Sequence, residues 1–100
     1  MLQADPSQPD ALHLRGVIAH QVGKNDIAVN LIMRALDIKP DYAKAHNNLG
    51  IALQELGKLE DAAASYRKAL AIEPDHAEAH GNLGIVLQEL ARIIHGASRI

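Results

Sequence analysis

Six histidines are the side chains of this 100-residue chain best suited to chemistry, and their spacing limits what that chemistry could be. His76 and His80 stand four apart and His13 and His20 seven apart, so each pair can share a helix face as two imidazole ligands of a metal would. Neither pair sits in an H-E-x-x-H motif or beside a set of carboxylates, so no metal site is expected. The absence of cysteine removes disulfides, thiolate zinc ligands and a thiol nucleophile. Ser7, Ser65 and Ser98 lack the G-x-S-x-G elbow of a serine nucleophile. Glu55, Glu60 and Asp61 read as solvated helix charges rather than an acid–base pair. No phosphate-cradling loop is present. The expectation is a protein without catalytic residues, metal or cofactor.

Composition narrows the partners as well. Hydrophobic residues make up 48% of the chain, yet two tyrosines are its only aromatics. Such a core must be built from Ala, Leu, Ile and Val, which favours closely packed helices over strands. Ten Lys and Arg against twelve Asp and Glu give a net charge of −2 without a basic half. A nucleic-acid partner is therefore not expected, since neither a phosphate-neutralising patch nor stacking aromatics are present. No apolar run reaches the roughly 18 residues of a membrane span, and Met1 to Ser7 lacks the features of a secretory signal. A cytoplasmic protein without membrane contact is expected.

The elements that position these residues follow from an internal repeat. Pro6, Pro40 and Pro74 recur at a period of 34, as do Gly16, Gly50 and Gly84, and Ala11, Ala45 and Ala79. Between Asp41–Leu56 and Asp75–Leu90, twelve of sixteen residues are identical. Within one period Ala45, Leu49, Ala52, Leu53 and Leu56 form a stripe with steps of three and four, and Ala62, Tyr66, Ala69 and Leu70 resume it after Gly57-Lys58. That is a helical hairpin: glycine ends the first helix in a left-handed conformation, and Pro40 or Pro74 prevents the second from continuing. The spacing predicts helices over 9–22, 25–38, 43–56, 59–72 and 77 to about 90.

These residues resemble the tetratricopeptide repeat family, whose 34-residue motif falls in the second repeat on His46, Leu49-Gly50, Leu53, Ala62, Tyr66, Ala69 and Pro74. The first repeat matches with Leu12, Gly16, Ala19, Ala28, Ile32, Ala35 and Pro40, with Arg15 in place of the leucine. The third offers His80, Leu83-Gly84 and Leu87 before the pattern fails. The resemblance implies an all-α, right-handed solenoid of antiparallel helical hairpins, about two and a half units. Its divisions are a lead-in or the end of a preceding repeat over 1–8, repeats over 9–42 and 43–76, and a partial repeat with an atypical end over 77–100. Met1 to Pro6 aligns with Ala35 to Pro40, as if the chain began inside a preceding second helix.

The resemblance also implies a concave groove, lined by the first helices, that holds an extended peptide or partner segment. Mapped by the motif, its residues are Asp10, His13, Leu14, Val17, His20 and Gln21; Lys44, Asn47, Asn48, Ile51, Gln54 and Glu55; and Glu78, Gly81, Asn82, Ile85, Gln88 and Glu89. Amides can donate to and accept from an extended main chain, and Val17, Ile51 and Ile85 can meet apolar side chains. Asn48 and Asn82 match the asparagine ladder of the repeat superhelix of O-linked N-acetylglucosamine transferases, with Leu14 breaking it in the first repeat. Relatives that bind chaperone tails clamp a terminal carboxylate with basic residues. The matching places here hold His13, Val17, Asn48, Glu78 and Asn82, so such a clamp is not expected.

The repeat stops abruptly after Leu90. Only Ala97 repeats its counterpart among the ten residues from Ala91 to Ile100. Ala91 replaces the turn glycine Gly57, which lets Leu83, Leu87, Leu90 and Ile94 continue one stripe and the helix run on; the alternatives are a short, imperfect second helix over Ile93 to Ile100, with Gly96 and Ile100 where Ala62 and Tyr66 stand, or a frayed end. With no second helix to cover it, this segment is expected to self-associate through Leu87, Leu90, Ile93, Ile94 and Ile100. The functional expectation is a protein-interaction scaffold without enzymatic activity. The alternatives are the repeat portion of a larger, transferase-like enzyme, or a self-association module.

Overall fold

The structure, a computed structural model, describes residues 8–98. Five helices follow one another: α1 (Pro9–Gln21), α2 (Asn25–Ile38), α3 (Ala43–Glu55), α4 (Leu59–Ile72) and α5 (Ala77–Ser98). The described residues contain no strand, and no helix among them is long and apolar enough to cross a membrane. The helix boundaries agree with those read from the repeat to within a residue, apart from the end of α5.

Local chemistry explains where the helices stop. Gly23 and Gly57 have φ of 81° and 79°, the left-handed conformation that a side chain would disfavour. Lys24 N–H reaches back to Ala19 O and Lys58 N–H to Leu53 O, both at 2.9 Å, while each glycine N–H bonds three residues back. These paired bonds satisfy helix-end carbonyls that would otherwise lack a donor. At the third occurrence the residue is Ala91, no left-handed residue appears, and α5 runs unbroken for 22 residues.

Packing is that of a solenoid. α1 lies on α2, α3 on α2 and α4, and α5 on α4, with lighter contacts of α1 with α3 and of α3 with α5. The main core cluster joins Ile32 and Leu36 of α2, Ala45, Leu49 and Leu53 of α3, Ala62, Ala63 and Tyr66 of α4, and Val86 of α5. Each hairpin closes on a glycine: a Cβ on Gly16 would lie 2.6 Å from Ile32 Cγ1, and one on Gly50 closer than 3.0 Å to three ring carbons of Tyr66. Leu56, assigned by spacing to the buried stripe, is instead 40% exposed, because the chain turns away at Gly57 before another element covers it.

Candidate peptide-binding groove

Neighbouring repeats place the first helices side by side, so polar residues 35 positions apart meet. Asn48 Nδ2 of α3 donates to His13 Nε2 of α1 at 2.7 Å, and Asn82 Nδ2 of α5 donates to Asn47 Oδ1 of α3 at 3.1 Å. The same pair of repeat positions is bridged in both steps. Asn48 and Asn82 are therefore half-buried and tied to the preceding repeat, rather than simply exposed on a groove wall.

Two of the residues assigned to the groove face are buried. Asn47 is fully buried and His13 only 5% exposed, because the next hairpin closes over this side of each first helix. Asn47 Nδ2 has no hydrogen-bond partner, so the Asn82 bond is the one that satisfies any of its amide.

His13 anchors a longer chain of bonds. With Nε2 accepting from Asn48, the ring proton lies on Nδ1 and donates to Tyr42 Oη at 3.0 Å. Burial, reinforced by Lys44 and opposed by Asp10, holds the His13 pKa below its usual value, so the neutral ring that this geometry needs is favoured. Burial and then Asp10 push the Tyr42 hydroxyl up. Lys39 Nζ sits 4.8 Å from the centre of the same ring. Tyr42 lies in the linker before α3, where the repeat motif marks nothing. The signal that could have found it is the 29-residue offset to a polar residue on the previous first helix.

The remaining groove residues are accessible. Lys44, Glu55, Glu78, Ile85 and Gln88 are exposed, and Val17, His20, Ile51 and Gln54 are half-buried. Ile51, Gln54, Glu55, Tyr66 and Asn82 converge on an open hollow of about 390 Å³ between α3 and α5. At its base Tyr66 Oη donates to Gln54 Oε1 at 2.7 Å. Burial, then Glu78, then Glu55 push the Tyr66 hydroxyl up to about 12.

Five of the six histidines have structural roles, His13 as above. His46 and His80 donate from Nε2 to the carbonyls of Pro40 and Pro74, at 2.8 and 2.6 Å, tying each first helix to its preceding linker. His76 Nδ1 accepts the Ala79 N–H at the start of α5, and His20 bonds Asn25 Oδ1 across the first turn. No cluster of three potential metal ligands occurs among the described residues.

At the C-terminal end the five residues assigned to self-association separate. Leu87, Ile93 and Ile94 are 38%, 53% and 65% exposed along α5. Leu90 and Ile93 turn toward the α3–α4 turn, where they line a hollow of about 460 Å³ with residues 57–61. Ile100 lies outside the described residues.

An all-α stack of helical hairpins with neighbouring first helices side by side defines a helical-repeat protein. The family models agree: a tetratricopeptide repeat matches residues 43–76, and a TPR repeat matches 20–57. The first TPR of Spaghetti (RPAP3), solved bound to the HSP90 peptide SRMEEVD, is 32% identical, with 88% of this chain and 70% of that chain covered and a TM-score of 0.85. The first TPR domain of human RPAP3 is 31% identical, covering 88% and 69%, with a TM-score of 0.84. The Sgt2 TPR domain from Aspergillus fumigatus shares the fold at a TM-score of 0.87 and 22% identity, covering 92% and 62%. A comparison with curated protein sequences found no match. The chain belongs to the tetratricopeptide repeat family.

Proposed function

We propose that this chain is a protein-interaction module, cytoplasmic and without an enzymatic activity of its own, that holds an extended peptide along the first-helix groove. The observation that carries this reading is the hollow between α3 and α5, where Asn82, Gln54 and Glu55 surround the apolar side chain of Ile51. An amide that gives one N–H to its neighbouring repeat keeps a second N–H and its carbonyl for peptide main chain, while Ile51 and Ile85 offer apolar contact. The peptide-bound RPAP3 relative supports a peptide as the ligand. This groove differs in charge from a carboxylate clamp: Glu55 and Glu78 are exposed along it, against Lys44. The ligand expected here is neutral or basic, and SRMEEVD should bind poorly.

The test is titration of a peptide library against the full chain, followed by Ile85→Arg. Ile85 is 57% exposed, so the variant should melt as the parent does while losing about tenfold or more in affinity. Unchanged binding of every selected peptide would remove the groove assignment. A second reading, self-association through α5, is favoured by the exposed Leu87 and Ile94. A fused transferase-like domain in a longer protein would be compatible with either.

A further inference from the structure

We propose that α5 pairs with α5 of a second copy, antiparallel and about a two-fold axis level with residue 89, each Ile94 seating in the notch left by the other's Gly84. The proposal deepens the self-association reading and rests on it.

Three equivalent glycines carry the argument. In the two complete hairpins the notch receives a large side chain from the second helix, Ile32 at Gly16 and Tyr66 at Gly50. At Gly84 an added Cβ would meet nothing within 4 Å. The rest of that face is uncovered in the same way. Leu53 is 8% exposed and its counterpart Leu87 is 38% exposed; His46 is buried and its counterpart His80 is exposed. The cause is internal to the sequence: Ala91 carries α5 straight through the place where a turn would start the second helix. What remains is a surface shaped for an antiparallel helix, and none of the described residues supplies one.

The missing helix must bring a large residue to Gly84 and a small one to Leu87, as α4 brings Tyr66 and, one turn earlier, Ala62. α5 itself carries that pair, Ile94 and Ala91, in the required antiparallel order. Setting Ile94 against Gly84 sets Ala91 against Leu87, and the two-fold axis repeats both contacts. The register is therefore self-complementary, as an isologous interface must be. The line His80, Gly84, Leu87, Ala91, Ile94 contains no Lys, Arg, Asp or Glu, so closure buries none of these charges. α4 packs on another flank of α5: Ala79 and Val86, both fully buried, precede His80 and Leu87 by one residue and so lie about 100° round the helix from them. A helix of 22 residues is about 33 Å long, and pairing two along it covers roughly 1,000 Å² in total, where specific interfaces begin. A dimer forming at tens of micromolar is the expected strength.

Light scattering coupled to size exclusion, run on the full chain over a concentration series, reads the association. Gly84→Leu should keep the low-concentration circular dichroism spectrum and melt no lower than the parent, since space is open around residue 84 and a helical glycine is lost, and weaken the dimer about tenfold or more. Register is read separately by oxidising Leu87→Cys and Ala91→Cys variants of this cysteine-free chain. A mixture of the two should form the disulfide-linked dimer faster than either alone. A monomer at hundreds of micromolar would overturn the self-association reading and the pairing together. A dimer that tolerates Gly84→Leu, or that cross-links no faster in the mixture, would overturn the pairing and leave self-association standing. Should Gly84→Leu fail to fold, the cross-linking rates still decide.

Discussion

Replacing Gly16, Gly50 and Gly84 by alanine, one at a time, makes the same chemical change at three equivalent helix positions with three different surroundings. Alanine is favoured over glycine inside a helix by about 0.5–1 kcal/mol. At Gly84 nothing lies within 4 Å of the new methyl, so the whole of that gain should appear as stability. At Gly50 the methyl would fall closer than 3.0 Å to three carbons of the Tyr66 ring, which is fully buried and rigid. Overpacking of this kind costs about 1–3 kcal/mol, which exceeds the helical gain and leaves a net loss of up to about 2 kcal/mol. Gly16 should fall between them. Its nearest neighbour is Ile32 Cγ1 at 2.6 Å, on a side chain that can turn, although Ala28 O at 3.3 Å cannot. In a chain of this length each kcal/mol moves the melting temperature by about 4–8 °C. Thermal and urea unfolding followed by circular dichroism at low micromolar protein, below the dimer range, should therefore rank the variants Gly84→Ala above parent, then Gly16→Ala, then Gly50→Ala. If Gly84→Ala were as damaging as Gly50→Ala, the third notch would be occupied and the account of α5 wrong.

Asn82→Ala should lower stability by about 1–3 kcal/mol, because it strips the Asn47 carbonyl of its bonded donor in a fully buried site; adding Asn47→Ala should cost less than the sum of the single changes in a double-mutant cycle. The C–H resonances of His13 should titrate below the usual histidine midpoint of 6.5. A lowered folded-state pKa gives stability that is present above 6.5 and lost as pH falls through the folded value, so a His13→Gln variant should flatten the acid limb of the pH–stability curve. Tyr66 should ionise at about 12 by ultraviolet titration. Its raised pKa gives stability that is complete below 10 and lost between 10 and about 12, a decline that Tyr66→Phe should reduce to the part contributed by Tyr42.

Periodicity alone settled the helical frame of this protein. Prolines and glycines recurring every 34 residues placed the hairpins, and Gly57 and its equivalent Gly23 the turns, whereas Ala91 only opened the option of a longer α5 that the structure then decided. These are local decisions, made by one residue's backbone freedom or by the apolar stripe of one helix, and a single sequence records them. The same stripe shows which face of a helix avoids water. It does not show how deeply the next hairpin covers the edges of the polar face. That depends on how adjacent repeats cross, and it decided that His13 and Asn47 are buried, that Asn48 and Asn82 bond the preceding repeat, and that Tyr42 joins the chain running from Asn48 through His13. Contacts between residues 29 and 35 positions apart arise from packing between repeats, so only the tertiary structure could assign them.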